Sequence, residues 1–205
     1  KTNLAGQPYA EGASDADEVL KARIAWARAD EAKTDADKAK YNDQASAILT
    51  ALMKARPGLR PLILDRLVTR LPAGVDVSKL DTLLVQAVMQ RALTEYSKPA
   101  REPFDRKSVE NGIAACKDLL KRKGEPGVSP QDLERAAVSI PFFAQKLGEP
   151  KVAAAAFLDY AQTQQSNPQR ATDALNQAMN IIIGDLHAPN TSDPEVSALY
   201  DRAVP

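Results

Sequence analysis

The sequence contains one histidine and one cysteine, and this scarcity limits the chemistry that the chain can support. A single histidine excludes the helical zinc-protease motif, which needs two, and it leaves any Ser/His/Asp or Cys/His triad dependent on His187 alone. His187 follows an apolar helical pattern, so we expect it at a helix C-terminus, where it interacts favourably with the helix dipole. The sequence therefore predicts a non-enzymatic protein with no catalytic and no metal-binding residues.

Cys116 lies in the apolar segment 113–120, where a small buried residue fits a helix. An intrachain disulfide is impossible with one cysteine. A buried thiol without an activating neighbour is usually inert, so Cys116 is predicted to be a structural core residue.

Two acidic pairs resemble the first positions of calcium-binding loops. An EF-hand needs glycine at the sixth position and glutamate at the twelfth. Counted from Asp15, these positions hold Leu20 and Trp26, and counted from Asp35 they hold Lys40 and Ser46. Both pairs are therefore predicted to cap helices. The nine glycines stand singly near predicted helix ends, so no phosphate-binding loop and no cofactor site is expected.

Basic residues are concentrated in the middle of a chain whose formal net charge is zero. Segment 54–123 has 15 Lys and Arg against eight Asp and Glu, which could steer an acidic partner or reflect ordinary solvated helix faces. The two clusters within it are Lys54, Arg56, Arg60, Arg66 and Arg70, and Lys117, Lys121, Arg122 and Lys123. Neither contains interleaved aromatic residues, so no nucleic-acid binding is expected. No apolar stretch is long enough to predict membrane insertion.

Helix-start signals recur about every 45 residues and indicate the fold. One series falls near Ser14, Leu59, Asp105, Glu149 and Ser192. A second series lies between them, near Thr34, Ser78, Ser129 and Asn167. This pattern predicts an all-α fold, a right-handed α–α superhelix (solenoid) of about four helical hairpins plus a short terminal helix.

The same signals predict the domain organisation. Residues 1–13 are predicted to form an extended N-terminal segment, and 14–205 a single helical-repeat domain. The linker 97–103 contains two prolines, so a hinge is predicted at 97–104.

Two local expectations follow from residue patterns. Pro141 lies inside a predicted helix and should kink it or split it near Ile140. The predicted apolar face of the first helix consists of Val19, Leu20, Ile24 and Ala27, with Trp26 beside it.

A repeat-like spacing appears in segment 41–57. Ala45, Leu49, Leu52 and Pro57 follow an order of alanine, large apolar residue, small or apolar residue and terminal proline. Prolines also follow a small or apolar residue by twelve positions in the pairs Ala87 and Pro99, Ala114 and Pro126, and Val138 and Pro150. This spacing resembles the second helix of a tetratricopeptide (TPR) repeat. The first-helix pattern of that family is absent, so the resemblance implies a TPR-like α–α superhelix and transfers no peptide-clamp residues.

Helical solenoids usually bind other macromolecules, so we expect a non-catalytic interaction scaffold or adaptor with a protein or peptide partner. Its groove would be lined by the first helices of the hairpins, at 14–31, 59–71, 105–123 and 149–165. Natural anchors there are Trp26, Tyr160 and the arginines near Arg60, although Trp26 is expected to be core rather than contact. The alternatives are an assembly subunit of a larger complex, or an all-helical enzyme or small-ligand-binding protein. The oligomeric state and the compartment, cytoplasmic or exported, are left open.

Overall fold

The computed structural model describes residues 15–99, 101–164 and 166–204, and these are helical with no strand among them. The predicted extended segment 1–13 and the Ser14 cap lie outside the described residues. No helix in the described ranges combines the length and apolar character needed to cross a membrane. The helices are α1 (Asp15–Glu31), α2 (Asp35–Ala55), α3 (Arg60–Arg70), α4 (Thr82–Tyr96), α5 (Arg106–Lys121), α6 (Pro130–Leu147), α7 (Pro150–Thr163), α8 (Pro168–Asn180) and α9 (Pro194–Ala203).

Several of the predicted helix starts are N-caps whose side chains bind the first turn, whereas Asp105 and Glu149 occupy the N-cap positions of α5 and α7 without such a bond. The Thr34 hydroxyl accepts a hydrogen bond from the Asp37 amide, and Asn167 and Asp193 cap α8 and α9 in the same way. Ser129 forms a full capping box with Asp132. These side chains bind amide groups that would otherwise lack a partner, each stabilising its helix by about 1 kcal/mol. The start near Ser78 differs, since Ser78 lies in a 3₁₀ turn and Asp81 caps α4.

The chain divides into two compact units, with the boundary between Arg70 and Leu71. This boundary falls between α3 and α4, which the sequence spacing pairs as one hairpin. The predicted hinge at 97–104 lies within the second unit and stays a prediction.

The first unit is built on the α1–α2 hairpin, with α3 packed against α2. Its α1 buries a different face from the predicted one. Leu20 and Ile24 are 52% and 46% exposed, whereas the buried apolar residues of α1 are Ala22, Ala25, Trp26 and Ala29. Both stripes recur at helical spacing, and the alanine stripe wins because small side chains let α1 approach α2 closely.

Two ion pairs connect α1 to other parts of the first unit. The Arg56 Nε lies 2.9 Å from both carboxylate oxygens of Asp15, and the Arg70 Nη1 lies 2.8 Å from Asp30. The Arg70 guanidinium also lies 5.3 Å from the Trp26 ring centre, a cation–π contact. Trp26, 6% exposed, is therefore a core residue that is covered by an arginine.

In the second unit, α5 packs between α4 and α6, α7 packs against α6 and α8, and α9 lies against α7 and α8. The contact between α4 and α5 depends on Gly112. A Cβ atom at Gly112 would lie 2.2 Å from the Ala92 Cβ and 3.2 Å from the Phe143 ring. Gly112 lies in the middle of α5, so the expectation that glycines mark helix ends is wrong here. This glycine permits close helix packing.

Two polar side chains, the buried Asn111 of α5 and the partly buried Arg122 that directly follows α5, fix the segment that precedes α4. Asn111 donates to the Pro72 carbonyl at 2.8 Å and accepts from the Gly74 amide at 3.1 Å. The Arg122 guanidinium, at the end of α5, donates to the Leu80 carbonyl at 2.8 Å and to Asp118 at 2.6 Å. Arg122 therefore belongs to the structural framework and is not a free member of the predicted basic cluster.

Glu95 joins the end of α4 to the start of α5. Its side chain is 1% exposed and contacts Lys98 at 2.6 Å, Arg91 at 3.0 Å and the Asp105 amide at 2.8 Å. Burial alone raises the pKa of Glu95, but the hydrogen bonds from Lys98 and the Asp105 amide, together with the Arg91 charge, lower it below its ordinary value. The ionised carboxylate is therefore part of the native packing.

Pro141 does not split α6, which runs without a break from Pro130 to Leu147. Proline removes one backbone hydrogen bond from a helix. Ile140, Phe143 and Ala144 around it are buried, so packing against neighbouring helices holds the segment helical despite this loss.

We predict that Gly112→Ala destabilises the second unit by about 2 kcal/mol, because overpacking at a rigid backbone contact outweighs the better helix propensity of alanine. Urea unfolding followed by circular dichroism measures the change. The double variant Ala92→Gly/Gly112→Ala moves the methyl group to the other helix and should recover most of the loss. A single variant as stable as the wild type would contradict the close contact.

We predict that Glu95→Gln lowers the free energy of unfolding by about 2 kcal/mol at pH 7, because the buried side chain loses charge-assisted hydrogen bonds and the partly buried Arg91 and Lys98 lose their counter-charge. Since the folded pKa lies below the unfolded one, the wild type keeps this stabilisation above about pH 4.5 and loses it as the pH falls through the folded pKa. The gap between variant and wild type should therefore narrow below pH 4 in unfolding titrations. The control Glu110→Gln, at an exposed pair with Arg106, should cost less than about 1 kcal/mol.

Candidate functional site

The second unit contains a half-open groove of about 690 Å³ between α5, α6, α7 and α9. A volume of this size lies within the range of ligand-binding clefts. We call it the α5–α9 groove. Its lining residues are Lys117, Leu120, Ala137, Ile140, Lys151, Val152, Ala155, Ala156, Asp159, Tyr160, Thr163, Glu195, Ala198, Leu199 and Arg202.

Alanines on α7 form much of the groove floor. Ala153 and Ala154 are fully buried on the core side of this helix, while Ala155 and Ala156 on the groove side are partly exposed. Short side chains between helices leave a depression, since no larger group fills the space. The floor is therefore apolar and concave.

Large apolar side chains at the groove remain accessible to solvent. Val152 is 41% exposed and Leu120 is 37% exposed. Each faces the same depression from a different helix. Covering them with an apolar partner would contribute roughly 25 cal/mol for every Å² removed from water.

Ion pairs connect α7 to α9 and form one side of the groove, the α7–α9 wall. Lys151 lies 2.5 Å from Asp193 and 3.0 Å from Glu195, and Arg202 lies 2.7 Å from Asp159. The hydrogen bonds to Asp193 and Glu195 raise the pKa of Lys151, and the bond from Lys151 lowers that of Asp193. Both cations of this wall are thus already matched to carboxylates.

The opposite wall, on α5, has a different charge. Lys117 is exposed and lines the groove beside Leu120. Lys121 lies one turn further along the same face of α5 and is exposed as well. Neither lysine forms an ion pair with any part of the chain that the structure describes. This wall therefore carries positive charge without an internal counter-charge.

Tyr160 separates the groove from a second cavity of about 430 Å³ between α6, α7 and α8. Its hydroxyl donates to Glu134 at 3.0 Å, and Glu134 also pairs with Arg170. Burial, with the hydrogen bond to Glu134, raises the pKa of Tyr160. At 8% exposure and with its hydroxyl occupied, Tyr160 offers little of the anchor surface expected from the sequence.

The other residues singled out by the sequence are not among the residues that line the groove. Trp26 is in the core of the first unit, and Arg60 is exposed there. His187 is exposed and follows a π-helical turn at Ile181–Asp185, with a left-handed φ of 59°. In residues 15–99, 101–164 and 166–204, no three His, Cys, Asp or Glu side chains cluster as a metal site would require.

The groove includes two elements that the sequence reasoning missed. Leu199 and Arg202 come from α9, which was expected only as a short terminal helix, and Ala137 and Ile140 come from α6, the second helix of its predicted hairpin. A signal was present in the alanine run 153–156, flanked by charged residues at 151 and 159. Such a run is typical of a close helix contact, so by itself it does not indicate a groove.

No family model, curated protein sequence or solved structure matches this chain. The groove is accordingly interpreted from its own residues and geometry. It offers an apolar floor, one wall whose two cations are paired with three carboxylates, and one cationic wall.

Cys116 provides a check on the packing of α5 next to the groove. Burial raises the pKa of its thiol to about 12, and the side chain is fully buried. We predict that a disulfide reagent such as DTNB labels Cys116 at least 100-fold more slowly in the native protein than in 6 M guanidinium, because the thiolate is scarce and inaccessible. Rapid native labelling would show that α5 is not packed as described.

Proposed function

We propose that the protein is a non-catalytic interaction scaffold, a stack of TPR-like helical hairpins that binds a segment of another protein in the α5–α9 groove. The observation that carries the proposal is the groove itself, with exposed apolar residues above a floor of alanines. A continuous concave apolar surface bordered by charged residues is typical of protein-binding sites.

The helix order supports this reading. Helices α5, α7 and α9 begin at Arg106, Pro150 and Pro194, so their starts recur about every 44 residues. Residues from all three of these helices line one groove. Successive first helices form the inner surface in a solenoid of helical hairpins, and that is the arrangement we propose for the hairpins of this chain.

The polar groups around the groove argue for binding over catalysis. Lys151 and Arg202 are engaged in ion pairs with carboxylates, and the only histidine in the sequence, His187, is not among the lining residues. A catalytic site needs a nucleophile or base aimed at a shared point. We therefore propose binding rather than catalysis at the groove.

Selection from a library of displayed linear peptides on the full chain tests this function. We expect the selection to yield peptides whose dissociation constants rise at least tenfold with Val152→Glu. The carboxylate introduced beside the apolar floor would have to be desolvated when a peptide binds. Binding affinity can be measured by fluorescence anisotropy.

The matched control is Ile183→Glu, which places the same charge at a residue that is 50% exposed and outside the groove. It should change binding less than twofold, with circular dichroism confirming that both variants are folded. Binders that respond to neither variant, or to both equally, would contradict a binding site in the groove.

A further inference from the structure

The backbone around the α5–α9 groove restricts the conformation of whatever occupies it. Every lining residue lies within α5, α6, α7 or α9. Helical backbone groups bond within their own helix except in its first and last turns, so the groove has no continuous row of amides and carbonyls to pair with an extended chain. An extended peptide would bury unpaired backbone groups against the apolar floor, at a cost of about 1–3 kcal/mol for each group. A helix satisfies its own backbone and avoids this cost.

The size of the groove fits a short helix. Its lining residues on α7 extend from Lys151 to Thr163, which corresponds to about 18 Å along the helix axis. A helix of about 12 residues, or three turns, has the same length. The floor residues Ala137, Ala155 and Ala156 are small, so the occupant must supply the large apolar side chains.

The two walls differ in charge, and this difference determines which side of a bound helix can carry carboxylates. The α7–α9 wall pairs Lys151 and Arg202 with its own carboxylates. The α5 wall presents Lys117, with Lys121 one turn further, and neither has an ion pair within the described residues. A carboxylate on the occupant would therefore find a counter-charge on α5 alone.

We propose that the α5–α9 groove binds an acidic amphipathic helix of about three turns from a partner protein. Large apolar residues of that helix fill the space above Ala155 and Ala156, and its carboxylates face Lys117. This inference rests on the proposed function and narrows it to one class of partner. In helix-in-groove binding, the groove contacts side chains that recur at helical spacing on one face of the bound helix.

Three synthetic 14-residue peptides test the inference. They share one stripe of leucines at positions i, i+3, i+7 and i+10 and differ only at the flanking positions, which are all Glu, all Gln or all Lys. We expect the Glu peptide to bind about threefold more tightly than the Gln peptide for each ion pair formed, and the Lys peptide to bind most weakly. The preference should shrink in 1 M salt because exposed charges are screened.

Reversing the charges of Lys117 and Lys121 tests whether the α5 wall causes the preference for the Glu peptide. The variant Lys117→Glu/Lys121→Glu should reverse the order, so that the Lys peptide binds best. The control Lys123→Glu reverses one lysine charge at an exposed residue outside the groove lining. It should keep the original order of the three peptide affinities. All three lysines are exposed, and circular dichroism confirms that each variant is folded.

The outcomes separate this inference from the proposed function. Equal affinity for the three peptides, with all binding lost in Val152→Glu, would overturn the acidic preference and leave groove binding intact. Bound peptides without a helical circular dichroism signal would overturn the helical occupant. Failure of all three peptides, while library-selected peptides still bind in a Val152-dependent way, would also reject the inference alone. Self-association of the chain that Val152→Glu abolishes would identify a second copy as the occupant and overturn the proposal.

Discussion

Helix α5 can pack against α4 only because Gly112 has no side chain, and much of the second unit depends on this close contact. A methyl group there would meet the Ala92 Cβ at 2.2 Å, a separation that real atoms do not adopt. With the contact in place, Asn111 and Arg122 reach the backbone of the segment that precedes α4. The same helix presents Lys117 and Leu120 to the groove on another face. One glycine thus sets the position of both the core and the candidate site.

Small residues determine how closely helices pack within each unit and where the groove forms. Alanines let α1 approach α2 in the first unit, and alanines of α7 serve both the core and the groove floor in the second. Close helix packing maximises dispersion contacts, and where a short side chain faces no helix it leaves a depression. The groove is therefore a consequence of the composition that makes the helices pack, and its specificity must come from the few larger and charged residues around it.

The buried carboxylates Glu95 and Asp118 of the second unit are both paired. Glu95 is surrounded by Arg91, Lys98 and the Asp105 amide, and Arg122 is matched by Asp118 and backbone carbonyls. An ion taken out of water without such partners would cost several kcal/mol. These networks join consecutive helices of the second unit, so they fix register. Lys117 and Lys121 of α5, which form no ion pair within the described part of the chain, are exposed, where a charge without a partner costs little.

The helical fold and several helix starts follow from local sequence alone, because caps such as Thr34 and Ser129 act on amides only three residues away. Tertiary structure decided which face each helix buries, as Leu20 and Ile24 show, and whether Pro141 breaks α6. It also decided that α6 and α9 join α5 and α7 around one groove. These outcomes depend on contacts between residues some 40 positions apart, such as Gln86 with Gly127 and Arg106 with the Leu147 carbonyl. Local spacing carries no information about which of two apolar stripes will meet a neighbouring helix, since that choice depends on how closely both surfaces fit.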